Sequence, residues 1–258
     1  MAKLRFTFGT MGSGKSTQAL QIHHNLRARG LTTILMTQLD RTEGRVSSRL
    51  GVSADAEIVE PASDLFELVR QRVKSLGHLN AVICDEAQFY DPAQCEQLAR
   101  VVDELGVDVY AFGLLTTFQG VMFPGSARLM ELADNRTEIQ VEARCWCGAR
   151  ATHNARFVDG VQVISGATVV VGDTTDGAGG SSAGAATSTV SYDLLCRAHW
   201  MEGARAARGD QLELLDDDVA RPGDRPDRSG PVEVDPEAVP TPLHATQVPA
   251  THPAGDNA

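Results

Sequence analysis

The chain has 258 residues, of which 42% are hydrophobic, enough for one large core or two small ones. Its formal net charge of −11 argues against a general grip on nucleic acid, which depends on Lys and Arg neutralising phosphates. No apolar run approaches the ~20 residues of a membrane span, so neither nucleic acid nor a membrane is an expected partner.

In chain order, the first 135 residues alternate strand and helix patterns. The N-terminal MAKLRFTFGTMGSGKS runs straight into a strand (4–9) and a glycine loop, leaving no room for a secretion signal. A helix follows from Ser16 to about Arg29, stopped by Gly30. TTILMTQ (32–38) reads as a second buried strand. Ser63 is placed to cap a helix carrying Leu65, Phe66, Leu68, Val69, Val73 and Leu76, which ends at Gly77. AVICDE (81–86) is the next strand, and Asp91 and Pro92 open a helix with Leu98, Val101, Val102 and Leu105 on one face. VDVYAFGL (107–114) is a further strand. This alternation predicts an α/β domain over residues 1–137, with a parallel sheet covered by helices on both sides.

Near residue 138 the texture changes to the apolar–polar alternation of small antiparallel strands, defining a second domain over 138–204. It is interrupted at about 174–190 by a Gly/Ser-rich insertion that reads as a loop tip. Residues 215–258 are acidic and rich in proline with no aromatic residue, the composition of a disordered tail.

The chain has five cysteines. An odd number without a secretion signal implies a reducing, cytosolic setting and directs attention to metal binding. Cys145, Cys147, Cys196 and His199 offer three thiolates and an imidazole, a closed tetrahedral set for a structural Zn²⁺. The Cys-Trp-Cys spacing is one residue shorter than the usual knuckle. Cys84 reads as a core residue, and Cys95, His23 and His24 as incidental.

GTMGSGKS, Gly9 to Ser16, has the spacing of a phosphate-binding loop between a strand and a helix. The backbone amides of Gly9, Thr10, Met11, Gly12, Ser13 and Gly14 can wrap the ATP phosphates, Lys15 can reach the outer ones, and Ser16 can hold Mg²⁺. Asp85, at a strand end, is the expected second Mg²⁺ carboxylate. Glu86 points the opposite way on an ideal strand, which frees it to accept a proton from an attacking hydroxyl. The letters DEAQ also resemble a helicase acidic box, but only one α/β lobe is present and the charge is unfavourable.

Taken in order, FGTMGSGKS, DEAQF, GLLTTFQGVMF, ELAD and the pair CWCGARATHNARF and SYDLLCRAHW resemble the type II thymidine kinases over residues 4–201. The resemblance implies a RecA-like phosphate-loop domain, a zinc-bearing lasso domain, and transfer of the ATP γ-phosphate to the 5′-hydroxyl of thymidine in DNA precursor synthesis. It implies that Glu86 is the general base, with Lys15 and Arg41 steadying the transferring group, and that Gln88 joins Asp85 among the ATP contacts. Met11, Phe89, Leu114, Phe118, Phe123, Asn154 and Tyr192 then enclose the thymine. A cytoplasmic homotetramer inhibited by thymidine triphosphate is likewise implied. Two features depart from the pattern: Leu115 stands where relatives commonly carry an acid, and Gln119 where an arginine is frequent. A loop that lacks that pair needs another tether. The alternatives are a kinase of the same fold for another deoxynucleoside such as deoxyuridine, and an ATP-regulated zinc-ribbon module that binds nucleic acid.

Overall fold

A computed structural model describes residues 1–38, 45–48, 51–139, 142–166 and 189–203. Arg41, most of the Gly/Ser-rich insertion and the acidic tail lie outside the described residues.

The chain forms β1 (Leu4–Phe8), α1 (Lys15–Ala28), β2 (Thr33–Thr37), β3 (Arg45–Ser47), β4 (Ser53–Asp55), β5 (Glu57–Ile58), α2 (Leu65–Leu76) and β6 (Ala81–Asp85). A 3₁₀ turn (Ala87–Phe89) leads to α3 (Pro92–Leu105), β7 (Asp108–Gly113), α4 (Pro124–Leu132) and β8 (Asn135–Glu138). The second part holds β9 (His153–Val158), β10 (Val161–Val163), β11 (Val190–Leu195) and α5 (Arg197–Glu202). Among the described residues, no helix is long and apolar enough to cross a membrane.

Six strands make one parallel sheet in the order β5-β2-β6-β7-β1-β8. Both faces of its central strands are buried, so these strands read as continuous apolar runs. On β6, Val82 and Cys84 join Phe6, Met36, Val109, Leu65, Leu98 and Leu129 in the core. Ala81 and Ile83 face the other way, toward Ala19 and Leu20 of α1. Asp85 continues the second set by the two-residue period of a strand, which aims it at the start of α1.

The capping chemistry differs from expectation at one helix. Asp64, not Ser63, caps α2, accepting the Glu67 N–H at 2.9 Å, while the Ser63 hydroxyl accepts the Glu60 N–H. Two adjacent good cap formers make the choice a matter of chain path. At α3 the expected Asp91 cap is present and completed by Gln94 into a reciprocal capping box. Cys84 is in the core as expected, and Cys95 is too, at 0% exposure with its thiol directed to the Gly125 carbonyl; it is not incidental. His23 also has a packed role, bonding Thr33 Oγ1 through Nδ1 at 3.0 Å. The parallel sheet ends with β8, and β10-β9-β11 form a separate antiparallel sheet.

Candidate active site

The phosphate-loop segment spans the gap between β1 and α1. Gly14 takes a left-handed conformation (φ 81°) at the helix start, which an L side chain would resist. The Lys15 ammonium is buried in the loop, donating to the Thr10 carbonyl at 2.7 Å and the Gly9 carbonyl at 3.3 Å. Next to it, Ser16 hydrogen-bonds the Asp85 carboxylate, so the two candidate Mg²⁺ ligands are already in contact. Burial, reinforced by the neighbouring Glu86 charge, pushes the Asp85 carboxyl up to about 6 against the opposing pull of Ser16 and Lys15.

Asp85 and Glu86 separate in direction, but not by strand alternation as expected. The strand stops at Asp85, and Glu86 adopts a left-handed conformation (φ 54°, ψ 32°) that turns the chain into the 3₁₀ turn. This is an uncommon state for a non-glycine residue, and such conformations concentrate at functional sites. The Glu86 carboxylate is fixed by Gln88, whose Nε2 donates to Glu86 Oε2 at 2.5 Å while its Oε1 accepts the Leu114 N–H at 3.0 Å. Gly113 leaves room for this bridge, since a Cβ there would lie 2.8 Å from Gln88 Oε1. Gln88 is 1% exposed. Its side chain therefore supports Glu86 from within the protein.

Residues implied to enclose a base come from five segments: the phosphate loop, the 3₁₀ turn, the β7–α4 loop, β9 and β11. Phe89 meets Phe123 edge-on, with ring centroids 5.7 Å apart, and Phe118 and Phe123 are both buried in the loop that joins β7 to α4. From β9, Asn154 Oδ1 accepts the Met11 N–H at 2.9 Å, tying the antiparallel sheet to the phosphate loop. Arg156 lies on the same face of β9 and holds its guanidinium 3.8 Å from the Phe118 ring centroid. Tyr192 pairs with Arg156 across β11 and so shares that face. Leu114 enters through its backbone, donating to Gln88 and accepting the Ser126 hydroxyl at 2.5 Å. A separate cavity of about 690 Å³ lies between α1 and the β3–β4 hairpin, but its lining (His23, His24, Arg27 and Ser53 among others) offers no carboxylate for proton transfer.

The four expected metal ligands also converge. The donor atoms of Cys145, Cys147, Cys196 and His199 all lie within 4.8 Å of one another. Cys145 Sγ and Cys196 Sγ are each 3.4 Å from His199 Nδ1, and Cys147 Sγ is 3.9 Å from Cys196 Sγ. A tetrahedron with metal–sulfur bonds of about 2.3 Å has edges of about 3.8 Å, so the set fits Zn²⁺ with no position left over for a catalytic water. A tight turn in which the Gly148 N–H donates to the Cys145 carbonyl accommodates the short Cys-Trp-Cys spacing. The backbone of His199 pulls the Cys196 thiol down to about 7, while burial pushes Cys145 up.

The family model for thymidine kinase matches residues 2–177. The chain is 52% identical to a thymidine kinase of Streptomyces coelicolor over 200 residues, covering 77% of this chain and 88% of that protein. It is 46% identical to one from Cutibacterium acnes over 204 residues (79% and 90% of the two chains) and 44% identical to one from Ruegeria pomeroyi over 215 residues (81% and 100%). The chain belongs to the thymidine kinase family.

In this thymidine kinase family member the expected site residues are linked by contacts of Ser16 with Asp85, Glu86 with Gln88, Gln88 with Leu114, Phe89 with Phe123 and Met11 with Asn154, while Cys145, Cys147, Cys196 and His199 form a cluster of their own. Two others emerge only from the coordinates. Arg156 was legible in principle, because it alternates with Asn154 on a strand whose other face carries the buried Ala155 and Phe157. Trp200 follows a ligand of the Cys/His set, and its indole N–H reaches the Phe118 carbonyl at 3.2 Å; nothing in its local pattern indicates that reach.

Proposed function

We propose that the protein transfers the γ-phosphate of ATP to the 5′-hydroxyl of thymidine. The observation that carries the reading is the contact of Ser16 with Asp85, one residue before a left-handed Glu86 whose carboxylate is tied through Gln88 to Leu114 at the start of the aromatic loop. Phosphate-chain, metal and proton-acceptor functions thus meet within a few residues. In this reading Glu86 takes the proton of the 5′-hydroxyl as it attacks, and Gln88 holds the accepting carboxylate in place. Lys15 leaves its loop carbonyls to offset charge on the outer phosphates, and Arg41 contributes a second cation to the transferring group. Ser16 and Asp85 would hold Mg²⁺, which when bound neutralises charge across the β- and γ-phosphates. Met11, Phe89, Leu114, Phe118, Phe123, Asn154 and Tyr192 enclose the base. The α/β part up to about residue 137 then serves ATP, and residues 138–204 form a lasso whose Zn²⁺ is structural. The same reading takes the protein as a cytoplasmic homotetramer that is inhibited by thymidine triphosphate and does not act on nucleic acid.

Steady-state rates across thymidine, deoxyuridine and deoxycytidine test the assignment. Thymidine should be preferred over deoxyuridine by about tenfold or more in kcat/KM, the scale at which a pocket discriminates one methyl group. A thymidine rate at background, with another nucleoside turned over, would transfer the assignment to that nucleoside.

Asp85 adds a pH dependence with a definite sign. Its folded-state value near 6 lies above the ordinary 3.8, so between these limits the folded chain holds a proton that the unfolded chain has lost. Its contribution to stability is therefore present in acid and is lost as pH rises through about 6. The ionised carboxylate that Mg²⁺ needs is available only above that window. The Mg²⁺ concentration giving half-maximal rate should rise severalfold between pH 7.5 and pH 5.5. An unchanged requirement would remove Asp85 from the Mg²⁺ site.

A further inference from the structure

The loop from Leu114 to Phe123 carries much of the aromatic wall and closes on itself as a small hairpin, with the Phe123 N–H donating to the Leu115 carbonyl at 3.2 Å and Thr116 bridging Met122. Thr117 pairs with Val121, the Gly120 N–H returns to the Thr117 carbonyl, and the Gln119 N–H is taken by Thr117 Oγ1. Neither Leu115 nor Gln119 can form an ion pair across it, and Leu115 packs instead against the main core. Val121 and Met122 are exposed. Beyond these hairpin bonds, the tip is contacted from α5.

Trp200, on α5, donates its indole N–H to the Phe118 carbonyl at 3.2 Å. Its ring also lies flush on Gly120: a Cβ built there would come within 2.5 Å of the indole Cη2, and Gly120 has φ +78°. Only a glycine offers both this bare face and this backbone. The residue is in turn fixed on several sides. His153 stacks on its indole with ring centroids 4.9 Å apart, and the Trp200 backbone is held too, its carbonyl accepting from Gln162 Nε2 at 3.0 Å and its backbone N–H donating to the Cys196 carbonyl at 3.0 Å. Trp200 directly follows His199 of the Cys/His set, on the helix α5 whose N-cap is Cys196.

We infer that Trp200 is a positioning residue for the nucleoside, clamping the Phe118 loop to the Cys/His cluster and so setting the affinity for thymidine. Arg156 adds to the clamp at the Phe118 ring, anchored by its bond to the Ser165 carbonyl at 3.1 Å. Trp200 touches no reacting group; it acts through Phe118 and Gly120. The inference rests on the reading of Phe118 and Phe123 as the wall of the base site.

Trp200→Ala should raise the KM for thymidine by about tenfold, the combined scale of one hydrogen bond and one aromatic contact. The KM for ATP should hold, and kcat should change less than the thymidine KM, because the lost interaction serves binding in ground and transition states alike. Trp200→Phe, which keeps a ring over Gly120 without the N–H, should fall between. Gly120→Ala approaches the same contact from the loop, with no change near the Cys/His cluster, and should reproduce the pattern. Amide hydrogen exchange gives a readout independent of turnover: residues 115–121 should exchange faster in Trp200→Ala and Gly120→Ala, with the segment around β1 unchanged. Unaltered exchange in that loop would overturn the clamp. Faster exchange with an unchanged thymidine KM would keep the clamp but overturn the assignment of Phe118 to the base site.

Discussion

Glu86→Gln is expected to lower kcat by about 10³-fold while leaving the affinities for ATP and thymidine nearly intact, a loss within the range of general-base catalysis. The substitution keeps the shape of the side chain and one carbonyl oxygen, so Gln88 Nε2 can still donate to it as it does to Glu86 Oε2. What disappears is an acceptor able to take a proton. The backbone is already committed: a non-glycine residue at φ 54° costs about 1–3 kcal/mol, and the Gln88 bridge to the Leu114 N–H holds that geometry. Binding measured by calorimetry, alongside turnover, separates the effects. Near-normal turnover in the variant would show that the hydroxyl proton goes elsewhere. A loss confined to ATP affinity would make Glu86 part of the phosphate site instead.

The two kinds of residue in this site were unequally legible in the sequence. Asp85 could be oriented from period alone, because Ala81, Ile83 and Asp85 alternate with Val82 and Cys84 on a fully buried strand. Glu86 could not, since a left-handed glutamate leaves no compositional mark where a glycine would. Gln88 was grouped with the nucleotide by resemblance, and only its surroundings show an amide with both ends engaged by protein. Short elements were also hidden. The strands of the β3–β4 hairpin are three residues each, too short for their alternation to stand out, and the fully exposed β8 has no apolar residue; their pairing is set by tertiary context. Trp200 marks the outer limit of such reading, since its partner carbonyl is 82 residues away along the chain. Contacts of that separation depend on the whole topology and leave no local signature.

Loss of the metal should have the second large effect, and it should fall on one end of the molecule. Among the described residues, the antiparallel β10-β9-β11 sheet has a small core of Cys145, Ala155, Phe157 and Leu195, with Trp146, Cys196 and Trp200 packed against it. Three short strands with so few apolar side chains do not hold themselves together, and small domains of this kind depend on a staple. In the proposed reading the Cys/His set, with Zn²⁺ bound, is that staple: it joins the Cys145–Cys147 turn before β9 to the Cys196–His199 segment after β11. Structural Zn²⁺ sites contribute on the order of 10 kcal/mol to folding in small metal-binding modules. Cys196→Ser, or chelation of the full-length protein, is therefore expected to raise the thymidine KM by about 100-fold or more. It should also collapse the exchange protection of residues 153–158. The parallel sheet has its own core and should keep its protection, so nucleotide binding, followed with a fluorescent ATP analogue, should weaken far less, the Asn154–Met11 bond being its one described link from β9 to the phosphate loop. His199→Cys, which replaces one zinc donor with another, should retain both metal and activity. Folded, active protein with a zinc content near zero would overturn the staple. Equal losses for both substrates would mean that the metal supports the whole fold and not the nucleoside end alone.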